Sequence, residues 1–264
     1  DEEVYEKIKA DFKSFATKLN VQDIRFIPIS ALNGDNVVNK SENTQWYEGS
    51  TLLYTLENIH IASDQNHIDC RFPVQTVIRP KQDEYHDFRG YAGRVAGGVF
   101  KKGDEIAVLP SGFTSKIQGI HTMDGDVEEA FAPMSVTITL EDDLDLGRGD
   151  MIVRANNRPD ASQEVGVMLC WFNQTGPMPR AKFTLMHASN EVKAMITKVH
   201  YKLDINTLHR NEKDLEISMN DILKVTIKTT KPLMKDSYTK NRLTGSIILV
   251  DDATNETVAA GMII

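Results

Sequence analysis

The 264-residue chain is short of several things, and each shortage removes a class of explanation. It carries two cysteines, Cys70 and Cys170, too few for a disulfide framework and not spaced as a metal-binding pair. No apolar run approaches the roughly 20 residues that a membrane-spanning helix needs. Nowhere does a Gly-x-x-x-x-Gly-Lys-Ser/Thr loop occur, so the chain has no phosphate cradle of that type. Concentrated positive charge is also missing. The net charge is -8, and Lys+Arg against Asp+Glu run 6 to 11 over residues 1–65, 11 to 16 over 66–162 and 13 to 11 over 163–264. Binding to nucleic acid, which requires a basic face to neutralise phosphates, is not expected. The opening "DEEVYEKIKADF" has acids and lysines where a secretory leader has a basic start and an apolar stretch. A protein of the reducing cytoplasm, with no membrane role, is the expectation.

What is present changes texture along the chain. Val4, Ile8, Phe12, Phe15, Ala16 and Leu19 recur at helical spacing and predict an amphipathic helix over 4–19. "DIRFIPIS", 23–30, predicts a strand, and Leu52, Leu53, Leu56 and Ile59 a second helix with Ser50 or Thr51 as its cap. Helix, strand, loop and helix read as the end of an α/β unit. One strand and two helices cannot bury their own apolar faces, so more of that unit is expected upstream.

From residue 66 onward the pattern is short alternating runs broken by turns: 72–79, 90–99, 105–110, 114–122, 134–140 and 150–154. After the polar boundary "NNRPDASQE", 156–164, the same texture resumes in "VGVMLCWF", "AKFTLMHA", "VKAMITKVHYKLD", "DILKVTIKTTKPL" and "GSIILVDDATNETVAAGMII". The expected fold is mainly β: residues 1–65 are an α/β remnant, and 66–162 and 163–264 are two successive β barrels.

Several short motifs have mundane readings. Asp87-Phe88-Arg89-Gly90 spells the phosphate-sensing Asp-x-x-Gly but lies in the β-rich part, where a tight strand entry is expected. Asn157-Arg158-Pro159-Asp160 lacks the lysine of the guanine-specifying Asn-Lys-x-Asp and reads as a turn. Arg148-Gly149-Asp150 reads as a strand-entry turn, and the two Asn-x-Thr sites, at Asn173 and Asn255, as chance. Neither His67 with Cys70 nor the carboxylates of 141–145 makes a full ligand set, so no metal site is assigned. His187, His200 and His209 form no constellation with a nucleophile, and no catalytic residue is nominated. Trp46 and Tyr47 are expected to pack the loop against the second helix. "SAL", Ser30-Ala31-Leu32, stands at the C-terminal end of the predicted strand, the edge where α/β sheets bind ligands.

Taken together, "FIPISALNGDNVV", "WYEGSTLLYTLENIHI", "RFPVQTVIRP", "DFRGYAGRVAGGVFKKGDEIAVLPSG", "MDGDVEEAF", "LDLGRGDMIV" and "TVAAGMI" resemble the large, regulatory GTPase subunit of bacterial sulfate adenylyltransferase. That family is similar to the translation elongation factors, with a GTPase domain followed by two β barrels. The resemblance implies GTP and Mg as cofactors of the full-length protein, bound mainly by upstream segments. It also implies a separate catalytic small subunit as partner, and coupling of GTP hydrolysis to formation of adenosine 5'-phosphosulfate from ATP and sulfate. Ser30, Ala31 and Leu32 then match the corner of the guanine site: the Ala31 N–H meets the guanine carbonyl, Ser30 steadies the loop and Leu32 shapes the pocket. These 264 residues alone are expected to be inactive. The alternative is a translation-factor-like module that binds RNA or a ribosomal partner, and a third reading is a purely structural adaptor.

Overall fold

A computed structural model describes residues 1–19, 21, 23–59, 66–80, 88–178 and 180–264. The chain divides into two compact units, residues 1–64 and 65–264.

In the first unit, α1 spans Glu2–Ala16. Asp1 caps it by accepting from the Glu3 N–H, while Glu2 and Glu3 in the first turn and Lys13 in the last complement the helix dipole. Its last residues, expected to run to Leu19, instead close as turns through Lys18 N–H to Phe15 O and Leu19 N–H to Ala16 O. The second helix, α2 (Leu52–Asn58), starts at Thr51, whose hydroxyl accepts from the Tyr54 N–H. The predicted strand over 23–30 does not form a ladder. Among the described residues its only bridge is Ser30 to Asp35, and an extended run without a pairing neighbour has no hydrogen-bonded row to join. The apolar stripe of α1 stays uncovered: Val4, Ile8 and Phe12 are exposed and Ala16 alone is buried. Trp46 and Tyr47 pack on α1, their rings 5.1 and 6.2 Å from that of Tyr5, and the Tyr47 hydroxyl donates to Ser50 O at 3.1 Å, just before α2.

The second unit is β throughout. Its first nine strands are β1 (Arg71–Ile78), β2 (Gly90–Arg94), β3 (Val99–Lys101), β4 (Glu105–Leu109), β5 (Thr114–Thr122), β6 (Gly125–Val127), β7 (Glu129–Phe131), β8 (Ser135–Leu140) and β9 (Met151–Arg154). Strands β4-β9-β1-β2-β8-β5 follow one another in the sheet, and the β4–β5 pairing closes the ring. Alternation builds the core: in β5, Ile117 is buried between outward Lys116 and Gln118, and a register shift between Ile117 and Gly119 carries the inward face on to Ile120, both packing beside Phe72, Val74, Ile138 and Ile152. The run 90–99 is broken rather than continuous. Gly98 adopts φ +73 and lies so close to Cys70 that an added Cβ would sit 2.5 Å from the Cys70 Cα. Chain reversal at such a contact requires glycine.

Strands β10 (Asp160–Trp171), β11 (Phe183–His187), β12 (Asn190–Leu203), β13 (Arg210–Asn211), β14 (Ile222–Lys235), β15 (Ser246–Asp251) and β16 (Thr257–Ile263) make the second barrel. The order β11-β15-β16-β10-β14-β12 closes through β11–β12. Val165, Val167, Leu169 and Trp171 point inward from β10 against Leu223, Val225 and Ile227 of β14. Each such fully buried side chain contributes about 1.5–3 kcal/mol of burial free energy. Half of the polar boundary is strand, since β10 begins at Asp160 and bulges between Ser162 and Glu164. No helix among the described residues is long and apolar enough to cross a membrane.

Candidate nucleotide corner and barrel joint

Residues 30–36 form a compact loop. The Ser30 N–H donates to Asp35 O at 3.2 Å, Gly34 N–H returns to Ser30 O at 2.8 Å, and the Ser30 hydroxyl accepts from the Asn33 N–H at 3.3 Å. Gly34 at φ +78 supplies the reversal. Ala31 and Leu32 lie on the outside of this loop, Leu32 at 94% exposure, so the corner presents itself to whatever lies beside it.

The support beneath comes from Asn36, which pattern reading did not single out. It is buried at φ +55, a conformation that asparagine tolerates better than most residues. Its Nδ2 donates to Pro28 O at 2.8 Å and Thr44 Oγ1 at 2.7 Å, and its Oδ1 accepts from the Ser41 N–H at 2.9 Å. Its carbonyl accepts from the Leu52 N–H at 2.9 Å. One residue thus ties the run before the corner and the loop after it together through its side chain, and the start of α2 through its carbonyl. Asp35 adds bonds from the Ser41 hydroxyl at 2.6 Å and Asn43 Nδ2 at 3.1 Å.

The second constellation joins the two barrels. Arg71, at the start of β1, is completely buried. Its Nε and Nη2 reach Asp236 Oδ2 and Oδ1 at 2.8 and 3.0 Å, a bidentate pair between barrels. Nη1 donates to Cys70 O, Asn157 O and Asn157 Oδ1 at 2.9, 2.7 and 2.9 Å. Asp236 also accepts from the Thr244 hydroxyl at 2.8 Å. Asp69 accepts from Asn66 and Asn157 amides at 2.8 and 2.9 Å, and Lys240 Nζ lies 3.1 Å from it. Asn241 Nδ2 crosses to Ala96 O at 2.9 Å.

Burial of Asp69 would raise its pKa, but the Asn66, Asn157 and Lys240 hydrogen bonds outweigh it and hold the carboxyl at about 2. Asp236 is likewise lowered: burial opposes ionisation, and the Arg71 hydrogen bonds and charge prevail. Nearby, His187 is pushed down by burial, and its Nε2 donates to Thr244 O at 2.8 Å. Asn157, read from sequence as part of a plain turn, is therefore a hub of the joint. Arg71 had one sequence signal, a cation inside the run "CRFPV" whose neighbours are all apolar.

The remaining motif residues fall into structural roles. Asp87 lies outside the described residues. Arg89 pairs with Asp143 and, at 2.7 Å, with Asp145, and Gly90 is required because a Cβ there would meet Thr137 Cγ2 at 2.5 Å. Arg89 and Asp143 line a cleft of about 520 Å³ with Arg79, Tyr91 and Thr139. Gly149, φ +98, turns the chain into β9. His121 is held between Asp126 Oδ1 at 2.6 Å and Thr139 Oγ1 at 3.2 Å. The Thr139 hydroxyl is buried and 3.4 Å from Gly119 O, which suits a positioning chain rather than a nucleophile.

Comparison with known proteins adds descent to this geometry. Residues 164–264 match the family described as GTP-eEF1A C-terminal domain-like. The chain is 48% identical over 265 residues to the bifunctional enzyme CysN/CysC of Mycobacterium tuberculosis, covering all of this chain and 43% of that one. It is 48% identical over 263 residues to sulfate adenylyltransferase subunit 1 of Pseudoalteromonas atlantica, covering 100% and 55%, and 44% identical to the same subunit of Bacteroides fragilis, covering 100% and 54%. It spans about half the length of the curated relatives it matches. Among solved structures, Sup35 complexed with GMPPNP superposes with a TM-score of 0.69 at 17% identity, covering 100% of this chain and 65% of that one. Elongation factor SelB of Methanococcus maripaludis, in its apo form, gives 0.59 at 16%, covering 81% and 45%. At such identities these two establish the fold, two barrels of the elongation-factor kind. Along its whole length the chain is similar to sulfate adenylyltransferase subunit 1 and to a part of CysN/CysC, at 44–48% identity.

Proposed function

We propose that this chain is the two-barrel part, with the adjoining end of the GTPase domain, of the regulatory subunit of a sulfate adenylyltransferase. In the full-length protein it couples GTP hydrolysis to adenylyl transfer from ATP to sulfate, giving adenosine 5'-phosphosulfate and pyrophosphate. The observation that carries this is identity of 42–48% over the whole chain to proteins named sulfate adenylyltransferase subunit 1. Residues 1–65 end the GTPase domain, and 66–162 and 163–264 are the barrels. The exposed apolar stripe of α1 and the unpaired run before Ser30 fit an α/β sheet continued by upstream residues.

In this role the Ala31 N–H reads the guanine carbonyl, Ser30 holds the loop, Leu32 flanks the base and Asn36 fixes all three from below. GTP and Mg are held chiefly by upstream segments, because these residues contain no phosphate loop. The barrels perform no chemistry. Fastened through Arg71 and Asp236, they carry the nucleotide state to the catalytic partner subunit, since a switch acts only through contacts that differ between its states. The setting is cytoplasmic. An RNA- or ribosome-binding module has only fold-level likeness on its side, because the translation-factor structures share 17% identity or less with this chain in the two cases above.

Reconstitution tests the proposal. The full-length protein should bind the catalytic subunit and bind guanine nucleotide in preference to adenine nucleotide. Replacing Ala31 with proline, which removes the N–H, should weaken guanine-nucleotide binding about tenfold, the worth of one buried hydrogen bond. Unchanged affinity would remove Ala31 from the site, and failure to bind the catalytic subunit would remove the function.

A further inference from the structure

The outside of the second barrel departs from the rule that solvent-facing strand positions are polar. Outward positions of the first barrel obey it, with Lys116 and Gln118 on β5 and Ser135 and Thr137 on β8. On four adjacent strands of the second barrel, register brings Ile248, Ala260, Cys170 and Ile222 into one outward row. The next row along the strands contains Met262 and Met168 side by side, followed by Lys224. Ile264, whose N–H bonds Gly166 O at 3.1 Å, lies over Gly166 beyond them. Ile248, Met262 and Ile264 are 40, 43 and 52% exposed. With strands about 4.8 Å apart, the patch is about 14 Å wide, and contiguous apolar surface of this kind marks an interaction site.

Its border is basic. Lys224, Lys228 and Lys198 stand on the β14 and β12 side. Other lysines of this barrel are paired: Lys193 with Asp252 at 2.9 Å, and Lys202 with Asp214 and Asp221 at 3.2 and 3.0 Å. Among the described residues no carboxylate lies within ion-pair distance of Lys198, Lys224 or Lys228, although Glu164 is the register partner of Lys228. Three uncompensated cations beside an apolar centre, on a chain of net charge -8, specify a complementary surface that is apolar in the middle and acidic at one margin. Methionines suit such a contact because their unbranched side chains adapt to a facing surface.

We infer that the outward face of β15, β16, β10 and β14 is where the second barrel docks the partner subunit, through an apolar contact on Met262, Met168 and Ile248 flanked by acidic partner groups on Lys224 and Lys228. This rests on the proposed function, which supplies the partner. These side chains point away from the barrel core, so substituting them leaves the fold intact.

The test uses the full-length protein and the catalytic subunit, with affinity and association rate measured at low and moderate salt. Met262→Glu is expected to raise Kd at least tenfold. The Lys224→Glu, Lys228→Glu double variant should slow association and flatten its salt dependence, as loss of complementary rim charges does. Circular dichroism and guanine-nucleotide affinity of both variants should match the parent, and Met262→Leu should restore binding. If the parent binds the partner and both charged variants bind within twofold of it, the face is not the docking site and the proposed function stands. If the parent does not bind, the functional reading and this inference fail together.

Discussion

Asp236→Asn should loosen the barrel pair more than any other single change at the joint. Asparagine keeps one acceptor for Arg71 Nε, but its amide nitrogen then faces Nη2, donor against donor. The guanidinium is fully buried and retains, beside that one acceptor, its three Nη1 contacts to oxygens of Cys70 and Asn157. The remaining carboxylate, Asp69, lies 3.9 Å away and already serves Lys240 at 3.1 Å. Breaking one side of a buried pair costs about 3–5 kcal/mol. Because Asp69 supplies partial compensation, the expected loss is near the lower figure, about 3 kcal/mol. For a unit of this size that corresponds to a fall in Tm of about 10 °C. Trp171, buried in the second barrel, reports unfolding by fluorescence once Trp46 is replaced by phenylalanine. Arg71→Met with Asp236→Leu, which removes both charges, should recover most of the loss, since apolar replacement of a buried pair is often neutral. A cost below about 1 kcal/mol for Asp236→Asn, or additivity of the Arg71 and Asp236 single changes, would refute the assignment of this pair as the joint's main fastening.

The joint also sets an acid limit. Folded Asp69 titrates at about 2, and Asp236 is also lowered. Groups depressed on folding stabilise the protein above their unfolded pKa near 3.9 and lose that contribution as pH falls through the folded value. Urea midpoints should therefore decline from about pH 4 toward pH 2, and the decline should shrink in Asp69→Asn. Gly98→Ala should destabilise by more than about 1 kcal/mol, because φ +73 and the 2.5 Å approach to Cys70 both exclude a side chain; a thermal melt checks it. Asn36→Ala should cost about 2 kcal/mol by stranding Pro28 O and the Ser41 N–H. In the full-length protein it should also weaken guanine-nucleotide binding through the corner it supports, which calorimetry reads.

Much of the barrel architecture was legible because two-residue alternation is a local signal. β5 occupies Thr114–Thr122, the limits its pattern predicts; in the second barrel β11, β15 and β16 fall within the apolar runs named from sequence, β10, β12 and β14 overrun theirs by two to five residues, and β13 lies in none of them. Local pattern fails where a distant contact decides. The run 90–99 breaks around Gly98 because Cys70 passes against it, and the polar stretch 156–164 turns into strand at Asp160 because β14 pairs with it. The predicted strand at 23–30 has no ladder among the described residues, since a strand is a property of a pair and not of one segment. The buried ion pair was out of reach for the same reason: Arg71 and Asp236 are 165 positions apart. At the proposed nucleotide corner, Ser30, Ala31 and Leu32 were named by resemblance, whereas Asn36 became visible only through its three side-chain hydrogen bonds.

Coupling is the central claim, and product yield measures it most directly. Full-length protein and catalytic subunit are mixed with ATP and sulfate, and adenosine 5'-phosphosulfate is followed to its plateau with GTP, with a non-hydrolysable GTP analogue and with no guanine nucleotide. The account predicts a higher plateau with GTP alone, because only hydrolysis can draw an unfavourable condensation past its own equilibrium. Equal plateaus in all three mixtures would contradict it.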